Sequence, residues 1–367
     1  MSANILEQAM ELIRMETVPE RPAELDRALQ YCVSQVRVGT IDYFERNGVK
    51  SILVYNTAQR PPRFTIILNG HLDVIPGKPE QYVPRVLEGR LFGVGATDMK
   101  ANVACIIEAF NEMAPRVSYP LGLQIVTDEE IGGFDGTMYQ IEQGVRADFV
   151  IAAESTNFNI VNQAKGVLWA ALVARGKTAH GAYPWRGQNA IQKMVRFLNA
   201  VEAEYGTPTE EQWCTTVNVS AIQSDNRAYN KIPDHCAVSL DLRFLPAESK
   251  NVLSRLQQLV PSDFEFEVKA HEPALYVDSS NPFLQNLKQA TQQVRNATCS
   301  YYCAQGSSDA RHYTRVGDAG VEFGPIGGGI GTDEEWVDLA SLDSYIEILQ
   351  CFLLGLGQNN GLSNVKS

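Results

Sequence analysis

His71, Asp98, Glu130 and Glu154 each fall directly after a run that reads as a β-strand, or where the next helix begins. The apolar run Phe64–Leu68 leads into Asn69-Gly70-His71-Leu72-Asp73, and Asp98 precedes Met99-Lys100 at the onset of a helical pattern. Leu121–Val126 ends in Thr127-Asp128-Glu129-Glu130, and Phe149–Ala153 ends in Glu154. In open α/β sheets, ligand sites assemble at the carboxyl ends of strands. One imidazole nitrogen with several carboxylate oxygens at one rim suits zinc, and also manganese or cobalt. Each residue alone has an ordinary explanation. His-x-Asp serves turns and cores, Asp98 would cap a helix, Glu129-Glu130 would be a solvated acidic turn, and Glu154 a loop charge. Four such groups at the same kind of topological position are hard to explain as four accidents.

The elements that would position them follow from hydrophobic periodicity. Phe64–Leu68 is continuously apolar, as buried parallel strands are. Lys100–Ala114 repeats apolar residues at helical spacing, Leu121–Val126 reads as a strand, Gly136–Gln143 as a helix and Phe149–Ala153 as a strand. This β-α-β-α-β rhythm predicts an α/β domain with an open, mostly parallel sheet and helices on both faces. From about Gly166 the texture changes. Strands at Val167–Ala174, Thr215–Ile222, Cys236–Phe244 and Phe264–Ala270 alternate with helices at Asn189–Glu204 and Glu248–Leu259, which predicts an α+β unit of ferredoxin-like element order. The α/β rhythm resumes with a helix at Pro282–Arg295, strand candidates at Thr298–Cys303 and Val321–Phe323, and a last helix from Leu342. Residues 1–165 and 277–367 would form a catalytic domain, with 166–276 inserted as a lid or dimerisation domain.

The composition narrows the function classes. At roughly 150 residues per domain, 367 residues predict two domains or three. A hydrophobic content of 44% supports a sizeable core, and a net charge of −12 argues against nucleic-acid or acidic-lipid partners. The apolar stretch Cys351–Leu356 is far shorter than the roughly 20 residues of a membrane helix. The segment MSANILEQAMELIRM lacks the basic n-region of a signal peptide, and seven scattered cysteines do not form a disulfide framework. A cytoplasmic protein is expected.

The motifs GHLDVIP, GVGATDMKANVA, TDEEIGG, Ala153-Glu154-Ser155, GKTAHGAYPWRGQNAI, NKIPDHCAVSLDLRFLP, GSSDAR and DEEWV occur in that order. Together they resemble the co-catalytic zinc exopeptidases and deacylases, metallopeptidase family twenty, which includes acetylornithine deacetylase, succinyl-diaminopimelate desuccinylase and glutamate carboxypeptidase. The resemblance spans roughly residues 60 to 345. It implies a metal-dependent hydrolase of amide bonds in N-acyl amino acids or short peptides, with a lid that usually also makes a homodimer. It also implies one or two zinc ions, with manganese, cobalt or magnesium possible at the second position. Carried over by position, His71, Asp98 and Glu154 resemble ligands of the first metal. Asp98 would bridge to a second metal that Glu130 also binds. Asp73 resembles the carboxylate that orients His71, and Glu129 the general base that takes a proton from water and returns it to the leaving amine. His180 resembles a histidine that crosses the dimer interface to help hold the oxyanion, with a turn histidine as the ordinary alternative. Asn230 and Arg243 resemble lid residues that bind the substrate's carboxylate, and a strand-end salt bridge is the alternative for Arg243. His235, His271 and His312 match no motif position and read as surface histidines.

One departure stands out. Family members usually carry a histidine four residues before the acid that precedes an aromatic, and that histidine completes the second metal site. The corresponding segment is Gly331-Thr332-Asp333-Glu334-Glu335-Trp336-Val337, so the second site keeps Asp98 and Glu130 and loses its nitrogen donor. Asp333 and Glu334 are near in sequence to substitute, and His312 is a remoter candidate. Three readings follow: a hydrolase with substitute ligation or a labile second metal, one working with a single metal, or a binding or regulatory protein that kept the fold and lost turnover.

Overall fold

The computed structural model describes residues 3–358. The chain divides into two compact units. The first comprises the chain up to Gln163, Tyr276–Tyr302 and the chain from Ser308 on; the second comprises Ala164–Leu275 with Cys303–Ser307. Sequence texture groups residues 303–307 with the first unit, but their contacts lie with the second.

The first unit is built on a sheet ordered Thr40–Arg46, Val49–Tyr55, Leu121–Val126, Phe64–His71, Ala147–Ala152, Ala319–Glu322, Ile160–Ala164. The four strands from Leu121–Val126 to Ala319–Glu322 run parallel, and the strands flanking them pair antiparallel. Their near-continuous burial explains their continuous apolar sequence. The chain leaves the central strand Phe64–His71 through the helix Lys100–Met113 to reach Leu121–Val126 on one side. It then crosses back to Ala147–Ala152 on the other side. Such a reversal opens a crevice at the strand's carboxyl end. His71 is the last residue of that strand, in register with Val126.

Twelve residues of the helix Lys100–Met113 are buried, and nine of them form one core with the first helix Ala3–Ile13 and the last helix Leu339–Gln358. That last helix corrects the membrane expectation in one respect. Leu339–Leu356 is long and apolar enough to cross a membrane. Its residues Leu342, Tyr345, Leu349, Phe352 and Leu353 instead recur at helical spacing within the core. A smaller antiparallel sheet joins Arg85–Leu87, Arg90–Phe92, Trp336–Asp338 and Gly327–Gly328, and so fixes the segment around Glu335.

The second unit has strands Gly166–Arg175, Thr216–Gln223, His235–Phe244 and Phe264–Glu272, with helices Ala190–Tyr205 and Val252–Leu259. In the unit's own strand numbers the sheet order is 4-1-3-2, all antiparallel, as in a ferredoxin-like fold. Alternate residues of Gly166–Arg175 and His235–Phe244 are buried, and they form a core with Met194 and Phe197 of the longer helix.

Candidate metal centre

Three loops converge at the carboxyl rim of the parallel strands. His71 ends its strand, Asp98 stands just before the helix Lys100–Met113, and Glu154 lies two residues beyond Ala147–Ala152. Each offers one ligand atom, and those atoms lie within 4.8 Å of one another. His71 Nε2 is 3.0 Å from Asp98 Oδ1 and 3.7 Å from Glu154 Oε1. The His71 Nδ1–H donates to the backbone carbonyl of Asp73 at 2.9 Å, which aims Nε2 at the carboxylates. Asp98 is not a helix cap: the N-cap position belongs to Met99, and no side chain bonds there.

The loops brace one another. Ser155 Oγ donates to the Thr97 carbonyl at 2.8 Å. Asn102 Nδ2 bridges the Thr97 and Ala153 carbonyls at 3.3 and 2.6 Å. The buried Glu335 carboxylate accepts the backbone N–H groups of Gly95, Thr97 and Asp98 at 3.0, 2.9 and 3.0 Å. Asp73 orients His71 through its backbone carbonyl rather than through the carboxylate expected to do so. Its carboxylate is 3.5 Å from His71 Nδ1 and also accepts the N–H groups of Glu129 and Glu130 at 3.1 and 2.8 Å. One residue therefore joins the histidine loop to the Glu129-Glu130 loop.

Charge and burial favour a cation. Burial, with the Asp98 charge added, pushes Glu130 up to about 7 and Glu154 well above the carboxylate range. Burial also raises Glu129, with Asp309 and Asp73 adding while His71 and Arg311 oppose. His71 is raised as well: burial disfavours its charge, but hydrogen bonds to Asp73 and Asp98 and the Glu154 charge outweigh that. Crowded carboxylates around one imidazole are a donor set that a divalent ion neutralises, so His71, Asp98 and Glu154 fit a resident metal.

The second position fits less well. Glu130 interacts with Asp98 and receives the Ile75 backbone N–H, but it lies outside the tight three-ligand set. Gly331 lies beside Ile75: a Cβ added there would meet Ile75 Cδ1 at 3.4 Å and nothing closer. None of the expected substitutes takes the missing donor's place. Asp333 pairs with Lys78 and Glu334 with Arg85, both at the surface. His312 is not a surface histidine: it is buried, with Nε2 donating to the Gly132 carbonyl at 2.9 Å.

In the second unit, exposed His180 bridges to Lys231, and its Nδ1 accepts the Ala182 N–H at 3.1 Å. The Asn230 carbonyl accepts the Gly181 N–H at 2.7 Å, so these two segments are neighbours. Arg243 forms a two-pronged pair with Asp241 at 2.8 and 3.1 Å, the salt bridge named above as its alternative. His235 is half-buried with Nδ1 3.4 Å from Asp225, and His271 is exposed.

The profile of Peptidase family M20/M25/M40 matches residues 67–355. The chain belongs to this family. A succinyl-diaminopimelate desuccinylase of Methylibium petroleiphilum is 30% identical over 319 residues, covering 79% of this chain and 81% of that one. Among solved structures, aminopeptidase PepT from Bacillus cereus superposes with a TM-score of 0.78 at 20% identity, covering 95% and 97% of the two chains. A dinuclear metal-binding peptidase of the M20 family from Bacillus subtilis has a TM-score of 0.73 at 12% identity, covering 97% and 98%. The M20 chain described here is thus a metal-dependent amide hydrolase with the family's α/β fold. Glu335, Asn102, Ser155 and Arg311 go unnoticed in the sequence as parts of this site, although DEEWV, GVGATDMKANVA, Ala153-Glu154-Ser155 and GSSDAR hold all four.

Proposed function

We propose that this M20 protein hydrolyses the amide bond of N-acyl amino acids or short peptides bearing a free carboxylate, with Glu129 as general base. The observation that carries the reading is the gathering of His71, Asp98 and Glu154, with the Glu129 carboxylate close enough to feel His71 and Glu154 yet outside the ligand set. A divalent ion there supplies Lewis acidity toward the scissile carbonyl and toward water. Glu129 takes a proton from the attacking water and delivers it to the leaving amine, and burial suits a carboxyl that must cycle between both states. Asp73 holds the backbone of Glu129 and Glu130 while its carbonyl fixes the tautomer of His71. Asn230 and Arg243 are assigned to the substrate's carboxylate, His180 to the oxyanion across a homodimer, and the second unit to that dimer's interface. Zinc is the expected first ion, since an imidazole and two carboxylates suit it. The protein's seven cysteines are all free thiols, which supports a reducing, cytoplasmic setting.

The desuccinylase relative favours N-succinyl amino acids within the substrate class. The decisive experiment is hydrolysis of a panel of N-succinyl and N-acetyl amino acids and dipeptides, with metal content measured alongside. Glu129→Gln should cut turnover at least about 10²-fold with metal retained. Near-normal turnover in that variant removes Glu129 from the role. A second reading, a binding protein without turnover, is favoured by Gly331 alone; hydrolysis of any panel member refutes it.

A further inference from the structure

Glu129 and Glu130 lie on a short segment whose amino end is held by Asp73, and its carboxyl end meets the helix Ala310–Arg315. Arg311 on that helix is 6% exposed. Its Nη2 donates to the Gly132 carbonyl at 2.7 Å, and its Nη1 stands 3.6 Å from Glu129 Oε1. His312 donates to the same carbonyl from Nε2 at 2.9 Å. Two adjacent side chains therefore converge on one carbonyl, three residues beyond the proposed base. The approach is close. A Cβ on Gly133, whose φ is +65°, would lie 1.9 Å from Asp309 Oδ1, so only glycine lets the helix sit against the segment.

We infer that Arg311 is a positioning residue for hydrolysis, clamping the Glu129–Gly132 segment through Gly132 and fixing the direction of the Glu129 carboxylate. This rests on the reading of Glu129 as base. A buried guanidinium needs partners for its charge, and Glu129 is the carboxylate with which it pairs. The planar fork serves two acceptors at once, the carbonyl and the carboxylate, whereas the single ammonium of lysine offers no such fixed fork. His312 contributes as a neutral donor. Burial, with Arg311 beside it, pushes it down to about 3, so it adds no second charge. The clamp from Arg311 and the hold from Asp73 fix both ends of the segment that carries Glu129 and Glu130.

The test uses the full-length, zinc-loaded protein with Arg311→Ala, Arg311→Lys, Glu129→Gln and the double variant. Arg311→Ala should lower kcat about 30-fold or more with KM within about threefold, and Arg311→Lys should recover part of the loss. The first-site zinc affinity should stay within about twofold, because Arg311 touches none of its three ligands. In the Glu129→Gln background, Arg311→Ala should cost nothing further; a merely structural role would add its full effect there. Amide exchange across residues 129–133 should quicken at least about tenfold in Arg311→Ala, a readout independent of turnover. Unchanged exchange, unchanged kcat, or additive losses in the double variant would each overturn the inference. A wild-type protein that binds zinc and cuts no amide would overturn the functional reading instead, and the exchange measurement would then decide the clamp.

Discussion

Replacing Glu335 should damage stability and metal binding together, although it is not a ligand. Its carboxylate accepts three backbone N–H groups from the loop that delivers Asp98, and it is 4% exposed. In Glu335→Ala those donors lose their acceptor. At about 1–3 kcal/mol for each buried donor left unpaired, and allowing for loop relaxation, the cost is about 3–6 kcal/mol. Glu335→Gln keeps one carbonyl oxygen but turns an NH₂ toward a remaining donor, so about half that loss is expected. Asp98 loses its backbone anchor in both variants, and zinc affinity at the first site should fall about 10-fold or more, as it does when groups supporting a ligand are removed. Burial pushes Glu335 up to about 7, against the three N–H donors, so the comparison belongs at pH 8, where the carboxylate is charged. Urea denaturation of chelated protein and calorimetric zinc titration provide the two numbers. Glu334→Ala is the control: its exposed pair with Arg85 should matter by less than about 0.5 kcal/mol. A Glu335→Ala protein within 1 kcal/mol of wild type, with unchanged zinc affinity, would refute the reasoning.

Titrating metal-free protein with zinc should show one tight site and one much weaker, since Glu130 and Asp98 have no imidazole to complete the second. Gly331→His should tighten the weaker site, less a conformational cost of about 1–2 kcal/mol for a side chain at φ +73°; two equally tight sites in the unmodified chain would sink this. The metal-free protein should lose stability as pH rises from about 5 to 7.5. Asp128, Glu130, Glu322 and Glu335 are each pushed up to about 7, so the folded state holds protons that the unfolded chain has released. His312, pushed down to about 3, and at the upper end of the range buried Lys100, pushed down to about 7, act oppositely, two groups against four. A Tm that climbs across this range in chelator would contradict the assignment. Sedimentation at micromolar concentration should find a homodimer, and a fully active monomer would count against the interface proposed for the second unit.

Much of the scaffold was legible because burial on both faces of a parallel strand leaves a plain signature. Leu121–Val126 and Pro282–Arg295 begin and end where periodicity puts them. The hairpin Thr40–Arg46 and Val49–Tyr55 escaped notice, since charged Asp42, Glu45 and Arg46 blur its first strand, although Asn47-Gly48 is a strong hairpin turn. Strand ends made His71, Asp98 and Glu154 visible as a group. Which acid of Asp333-Glu334-Glu335 turns inward depends on the pairing of Trp336–Asp338 with Arg90–Phe92, a contact between segments far apart in the chain. Arg311 and His312 lie on a six-residue helix, too short for periodicity to speak, and they meet Gly132 across 179 and 180 positions.

The two strands of chain that border the second unit are tied to each other. Asn162 and Val277 exchange hydrogen bonds, with the Val277 N–H reaching the Asn162 carbonyl at 2.9 Å and the Asn162 amide reaching the Val277 carbonyl at 2.8 Å. During synthesis this closure must wait until the whole intervening segment has left the ribosome. That segment is continuous in sequence and has a core of its own, so it can fold as it emerges. The metal-bearing unit cannot. His71, Asp98 and Glu154 are all made before the second unit, yet Val321, Tyr345 and Phe352, which complete the core of their own unit, are made only after it. Until then the helix Lys100–Met113 can pack on the first helix and its neighbouring strands but lacks the helix Leu339–Gln358, and the apolar surface left open there exposes the nascent chain to aggregation.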